Sequence, residues 1–317
     1  MKKVIALFLI ISLIAGCDKQ LQNGSKSDTA VNTVVKKVNP EPAQHRHPRP
    51  RPRQNRHQDA DDIKKGLSMY GKNDNQPSEN IIYGRNPVLE LLKAGKRSVN
   101  KVMISQTARG AAILEIISLA KRKNIALHSV PPEKLDRFSE NSQGVVAEVS
   151  PLEYTELPDL IEKAKKSLKP LLVILDGIED PHNLGAIIRN CVAFGVDGVV
   201  IPKWRAAGIN ETVSKSSAGA VEHISISRVV NINRAMDLLK KNGFWIIGAE
   251  TGEQMLEKAD LPFPLAVIIG SEGFGLRSLT KKNSDFLISI PQANTISSLN
   301  ASCASAVVLY EIAKKRK

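Results

Sequence analysis

The sequence predicts an α/β protein in two folded parts: a small alternating α/β domain, then a larger parallel sheet with helices on both faces. Apolar residues make up 42% of the 317 residues, enough for a substantial core. Six short apolar runs lie beyond residue 170: "LLVIL", "GVVIP", "HISIS", "WIIGAE", "LAVIIG" and "FLISIP". Helical stretches separate them, the pattern of strands buried on both sides of a parallel sheet. The polar segments "DGIEDPHN", "GSEGFG" and "PQANTISS" each follow one of these runs, where ligands gather in such folds.

The chain opens with a different kind of segment. Lys2 and Lys3 precede an apolar run from Val4 to Ala15, too short to span a bilayer. A charged start, a short apolar stretch and small residues before a cut describe a secretory signal over 1–17. Ile14-Ala15-Gly16-Cys17 resembles a bacterial lipoprotein lipobox with Cys17 as the lipidated residue, so a membrane enters only if that site is used. Residues 18–78, which include "EPAQHRHPRPRPRQNRHQ", cannot build a core and read as a disordered, basic Pro/Arg-rich tether. The formal charge of +13 is shared between tether and folded part and favours a polyanionic partner.

The small domain spans 79–150. "NPVLELLKAG" reads as a helix with Asn86 at the N-cap, Pro87 at the first position and Gly95 past the end. "KVMIS" is a strand, "AAILEIISLAKRK" an amphipathic helix, "IALHSV" a strand, "PPEKLDRFS" a helix opened by proline, and "GVVAEV" a strand. A linker over 151–157 leads to the larger unit, 158–317. There Asn183 reads as the N-cap of a helix from Leu184, with Leu184, Ile187, Ile188, Cys191 and Val192 as its buried stripe. Arg189 lies at the edge of that stripe. Side chains lean toward a helix N-terminus, and small Gly185 and Ala186 leave the guanidinium a path to the helix mouth. A cation there is unfavourable for the helix dipole unless an anion such as phosphate shares the mouth. The bland alternative is a salt bridge from Arg189 to Glu179, Asp180 or Glu272.

Two further loops bear on that choice. "IIGSEGFGLRSLT" has glycines at 270, 273 and 275, neither a dinucleotide fingerprint nor a phosphate-binding P-loop, and Glu272 between them either caps a helix or holds a cation such as Arg189. "IPQANTISSLNASCASAVVLYEIAKK" puts Ser298 and Asn300 at a helix head, with Ser297 or Ser298 as the ordinary N-cap. Ala301, Ala304, Ala306 and Val307 form a smooth face suited to close helix packing or a dimer interface. Cys17, Cys191 and Cys303 form no CxxC, and no cluster has metal-ligand spacing, so no metal is expected.

Together these segments resemble the signature motifs of the SpoU/TrmH family of RNA 2′-O-ribose methyltransferases. The carriers are Asn183-Leu184-Gly185-Ala186-Ile187-Ile188-Arg189, then Ile269-Gly270-Ser271-Glu272-Gly273-Phe274-Gly275-Leu276, then Ile290-Pro291 with Ser298-Leu299-Asn300-Ala301-Ser302. "IIYGRNPVLELL" and "SQGVVAEV" resemble the family's L30e-like RNA-binding domain. The resemblance implies a SPOUT-type fold with a trefoil knot, a rare exception to unknotted chains. It also implies a homodimer, RNA as substrate, and S-adenosylmethionine held near Gly270, Ile290 and Leu299. The two-domain order is most similar to the branch that methylates a guanosine of 23S rRNA, although "PQANTISS" departs from its usual Met and Gly after the proline. By position, Arg189 is the catalytic arginine, supported by Asn183, Glu272, Ser298 and Asn300. Free guanidinium is a very poor base, so Arg189 reads as a phosphate and transition-state holder.

Neither signal nor tether belongs to such a family, whose substrate and methyl donor are cytoplasmic. Three explanations stand: a mis-set start or gene fusion, with translation from about Met69; an inefficient signal; or export. The first is favoured, and the expected location is cytoplasmic. The rival functions are methylation of tRNA, or a non-enzymatic envelope lipoprotein that binds RNA or other polyanions.

Overall fold

The computed structural model describes residues 80–293 and 298–316. The signal with Cys17, the tether and Ser297 lie outside the described residues.

The small domain is a four-stranded mixed sheet. Its strands are β1 (Ile81–Tyr83), β2 (Val99–Ser105), β3 (Ala126–Val130) and β4 (Val145–Val149), in the order β1-β4-β2-β3. β4 runs antiparallel to β1 and β2, while β2 and β3 are parallel. Helices α1 (Arg85–Ala94) and α2 (Ala111–Arg122) bury Val88, Leu91, Leu92 and Ile116 against one face. The short helix α3 (Pro132–Asp136) closes the other with Leu135. Gly95 ends α1 in the left-handed region, as its sequence position predicts. The start of α1 differs from the expectation of an Asn86 cap. Gly84 is the cap residue, and the Arg85 N–H donates to the Gln143 side-chain oxygen at 3.0 Å. The first-turn donor is thus met from 58 residues away, a tertiary substitute for a local cap. β1, three residues beside this turn, is too short to show alternation and was not legible as a strand.

The larger unit is a six-stranded, wholly parallel sheet. Its strands are β5 (Leu171–Asp176), β6 (Gly198–Pro202), β7 (Ile226–Val229), β8 (Trp245–Met255), β9 (Leu265–Gly270) and β10 (Phe286–Ser289). The order is β10-β8-β9-β5-β6-β7. β5 and β9 are central, and their buried residues are apolar except Asp176 at the end of β5. On one face pack α5 (Pro181–Ala193), α6 (Glu211–Ser216) and α9 (Ala301–Arg316). On the other lie α4 (Leu157–Ala164) and α7 (Ile232–Lys241), with α8 (Ser278–Asn283) beside α7. Two dry layers, one on each side, are what the runs of Val, Ile and Leu dictate. After edge strand β10 the chain returns to the middle of the sheet, where α9 packs on α5 and β9.

Two helix starts differ from the sequence reading. α5 begins at Pro181 with Asp180 as N-cap, whose carboxylate accepts the His182 N–H at 2.9 Å. Proline is pre-set for the first helical position, so the helix gains three residues before Leu184. Asn183 is therefore in the first turn, its side chain released from capping. α9 is capped by Asn300, whose Oδ1 accepts the Ser302 N–H at 2.9 Å and the Cys303 N–H at 3.3 Å. Ser298 does not serve as the cap. Strand β7 also starts three residues later than "HISIS", at Ile226, since Ile224 is drawn into the core below it. Cys191 is buried and Cys303 exposed, both as free thiols, and burial pushes the Cys191 thiol up.

Candidate active site

The three loops converge at the carboxyl edge of β5 and β9. The Glu272 Oε1 accepts the Asn183 amide N–H at 2.8 Å, a short hydrogen bond from the Asn300 amide, and the Ala301 backbone N–H at 3.4 Å. The Asn300 amide also donates to the Asn183 Oδ1 at 3.0 Å. The Ser298 hydroxyl donates to the Glu272 carbonyl at 3.4 Å. One carboxylate thus ties residues 183, 272 and 300 together although more than a hundred positions separate the outer two. Of the two jobs offered for it, Glu272 does part of the first, since it helps satisfy the head of α9; it holds neutral amides and no cation among the described residues.

Arg189 is exposed and makes no ion pair or hydrogen bond among the described residues. The salt bridge to Glu179, Asp180 or Glu272 is absent, which leaves its planar donors open to solvent. Its expected path over Gly185 is closed, however. A Cβ built on Gly185 would stand 1.8 Å from the Ser216 hydroxyl, so that glycine exists for contact between α5 and α6. Arg189 leaves the helix on the solvent side instead.

Beside the Glu272 cluster lies a pocket of about 310 Å³. Its walls are Ile269, Gly270, Ile288, Ile290, Leu299 and Ala301, with Glu250, Glu272 and Ser298 at its polar rim. The three positions named for the cofactor, Gly270, Ile290 and Leu299, all line it. Gly270 is there for a steric reason: a Cβ would meet the Gly275 carbonyl carbon at 2.3 Å, so the loop folds back directly on its own strand. Glu250 escaped the sequence reading. It pairs with Lys281 at 2.8 Å and accepts the Leu276 N–H at 3.4 Å, bracing the same loop. Asp176 escaped it too. It is buried at the end of β5 and accepts the Arg277 N–H at 3.1 Å. Each closes an apolar strand run with a carboxylate, the one signal that marked them. Among the described residues no group of His, Cys, Asp and Glu would hold a metal, and no helix is long and apolar enough to cross a membrane.

The fold is that of the SPOUT-class methyltransferases. The structure superposes on AviRb, a SpoU methyltransferase of Streptomyces viridochromogenes solved with AdoMet, with a TM-score of 0.64 at 21% identity, covering 80% of this chain and 98% of that one. A crystal structure of an RNA 2′-O ribose methyltransferase gives a TM-score of 0.62 at 22% identity, covering 81% and 96%. Residues 170–310 match the SpoU rRNA Methylase family, and residues 81–155 match the RNA 2′-O ribose methyltransferase substrate binding family. YacO of Bacillus subtilis, assigned to the TrmH family of tRNA/rRNA methyltransferases, is 43% identical over 74% of this chain and 95% of its own. An uncharacterised tRNA/rRNA methyltransferase of Synechocystis is 46% identical over 76% of this chain, which spans 64% of that relative's length. The chain belongs to the SpoU/TrmH family of RNA methyltransferases.

Proposed function

We propose that this protein transfers a methyl group from S-adenosylmethionine to a ribose 2′-oxygen of structured RNA, with a guanosine of 23S rRNA as the target. One observation carries the reading: three chain-distant segments meet at one sheet edge, where the bonded trio Asn183–Glu272–Asn300 adjoins the pocket. That pocket fits the donor. Its apolar walls would suit an adenine ring, its backbone comes close because Gly270 has no side chain, and the carboxylates at its rim would suit a donor that carries positive charge on a sulfonium and an amino group. S-adenosylmethionine, when bound, supplies an electrophilic methyl group.

The ribose hydroxyl is a poor nucleophile and must lose its proton near the transition state. Arg189, exposed and without a partner among the described residues, carries the planar donors that would grip the substrate phosphate and stabilise charge growing on the 2′-oxygen. Ser298 presents its hydroxyl at the rim of the pocket, while Asn300, whose amide hydrogens bond Glu272 and Asn183 and whose oxygen caps α9, fixes the head of that helix beside it. Asn183 and Glu272 fix Asn300, so they position rather than react. The exposed side of α9 carries Cys303, Val307 and Tyr310, with Tyr310 set edge-on to Phe194 at 6.1 Å, and supports a homodimer through α5 and α9. Substrate and donor place the working protein in the cytoplasm.

The test is transfer of labelled methyl to 23S rRNA transcripts by wild type, Arg189→Ala and Arg189→Lys. A fall of 100-fold or more in both variants, about 3 kcal/mol of transition-state stabilisation, is expected. Lysine cannot form the planar two-point grip. Near-full rate in Arg189→Ala, with donor binding intact, overturns the role. Relatives named tRNA/rRNA methyltransferases keep tRNA as the alternative target, so mapping 2′-O-methyl sites in a deletion strain decides between them.

A further inference from the structure

We propose that the carboxyl edge of the sheet from β9 to β7 is a track for single-stranded RNA flanking the methylated ribose, in which Arg277 grips a phosphate and Trp204 stacks on a base. The inference rests on the RNA reading above and gives it residues outside the motif cluster.

The track is a continuous row of loops. After β9, Arg277 is exposed, and its Nε stands 3.4 Å from the Asp176 Oδ1. Asp176 is fully buried at its side chain, and that same oxygen receives no hydrogen bond among the described residues. The carboxylate therefore steers the guanidinium by charge from one side and leaves the remaining donors free. The guanidinium lies over Gly177, where a Cβ would be 3.5 Å from Nη2. One residue on, the Ile178 carbonyl accepts the Ala207 N–H at 2.9 Å, which joins the loop after β5 to the loop after β6. That second loop holds Lys203, Trp204 and Arg205, all exposed. Arg228, at β7, donates to the Lys203 carbonyl at 3.2 Å and completes the row.

Trp204 is 64% exposed, with the Lys203 ammonium 5.1 Å from its ring centroid. A single exposed ring is ordinary on a surface; what singles out Trp204 is its place in a row of cations, with the Lys203 ammonium beside the ring. Single-stranded RNA is the occupant that matches both features. Bases splayed from a loop stack on aromatic rings, and flanking cations track the phosphates. Charge agrees: Lys203, Arg205, Arg228 and Arg277 line the row, against Glu179, Asp180 and the buried Asp176, of which Asp180 is engaged in capping α5 and Asp176 lies beneath Arg277. The row also adjoins the chemistry. Arg277 follows the Glu272 loop by two residues beyond Gly275, and Asn183 follows Asp180 by three.

The test uses the full chain with Trp245→Phe, which leaves Trp204 as the sole indole of the two in the sequence. The probes are a mixed-sequence single-stranded RNA of about 20 nucleotides and its blunt duplex, a length that exceeds the site sizes of single-strand folds. The single strand should quench Trp204 emission and the duplex should not. Trp204→Ala should weaken anisotropy-measured binding about tenfold or more, and Trp204→Phe should restore most of it. Arg277→Ala should lower the slope of log K against log salt by about 0.7, one phosphate contact on a single strand. Thermal melts of each variant identify any that fail to fold, and the exposed Arg277→Ala is read where a Trp204 variant does not. Binding without a change in Trp204 emission, equal quenching by duplex, or wild-type affinity in both alanine variants overturns the track. Quenching by a protein that transfers no labelled methyl supports the track and overturns the proposed reaction.

Discussion

At the scale of single residues, the site is built from groups that carry little charge and much geometry. Gly270 and Gly273 make the point. A methyl on Gly270 collides with the Gly275 backbone at 2.3 Å, whereas one on Gly273 meets nothing within 4 Å. Gly270→Ala should therefore abolish donor binding and lower the melting temperature, while Gly273→Ala leaves the fold's stability within about 0.5 kcal/mol. Calorimetric titration and thermal melts check both, and equal behaviour of the two variants refutes the steric argument. Asn300 has two tasks, a cap on α9 and an amide on Glu272. Asn300→Ala should cost about 1 kcal/mol of stability through the lost cap. Asn300→Asp keeps the cap acceptor but sets a carboxylate against Glu272, so chemical denaturation should show a near-normal fold with lost transfer. The motif residues were legible one by one in the sequence. What they touch was not: Glu272 binds amides because the return from β10 sets the head of α9 beside it, and Arg189 has no partner among the described residues.

At the scale of elements, α9 is the piece on which the site hangs, and it is held at both ends. Its head carries Asn300. At its tail the Arg316 guanidinium donates to the Asp197 carboxylate at 2.6 Å and to the Lys169 carbonyl at 2.6 Å. Asp197 also accepts the Leu171 N–H at 2.8 Å, so one carboxylate fixes both α9 and the start of β5. Asp197→Ala removes several charge-assisted bonds and should cost roughly 2–4 kcal/mol, read as a lower urea midpoint with unchanged slope. A loss below about 0.5 kcal/mol, the size of an ordinary surface change, sinks the clamp. Strand positions were legible because buried parallel strands are near-continuous apolar runs. Helix starts were less so. Gln143, just before the strand paired with β1, satisfies the head of α1, and a proline-led turn lengthens α5, so local cap chemistry misplaced the two starts by two and three residues.

At the scale of the whole molecule, the small domain is docked on the larger unit by a buried pair. The Arg97 guanidinium donates to Glu222 at 3.0 Å, with side-chain exposures of only 8% and 2%, and to the Ser150 carbonyl in the connecting segment. His223 bonds Glu90 at 2.8 Å, and Lys215 donates to the Asn141 carbonyl at 2.7 Å, across the same seam. Burial pushes the Glu222 carboxyl above the usual carboxylate range, and the attraction of Arg97 only partly opposes it. A raised folded value means that its stabilisation is complete below the ordinary value and is lost as pH rises through the folded one. The melting temperature of wild type minus that of Glu222→Gln should thus fall as pH rises from about 4 to 7. A pH-independent difference would show that Arg97 fully compensates the burial. The α9 face makes a second prediction at this scale. For the homodimer proposed through α9, Val307→Glu is expected to give a monomer in light scattering where wild type is a dimer, with methyl transfer reduced.

The sequence by itself determined the strand runs, the polar loops at their ends and the identity of the motif residues, since hydrophobic period and residue chemistry are local properties. It also carried the family resemblance, because the three motifs keep their order and spacing. Only the tertiary structure decided that Glu272 gathers Asn183 and Asn300, that Asp176 lies buried beneath Arg277, and that Arg97 locks two domains. Each of those joins residues far apart in the chain, and their pairing is fixed by how a parallel sheet orders its strands, which no local pattern encodes.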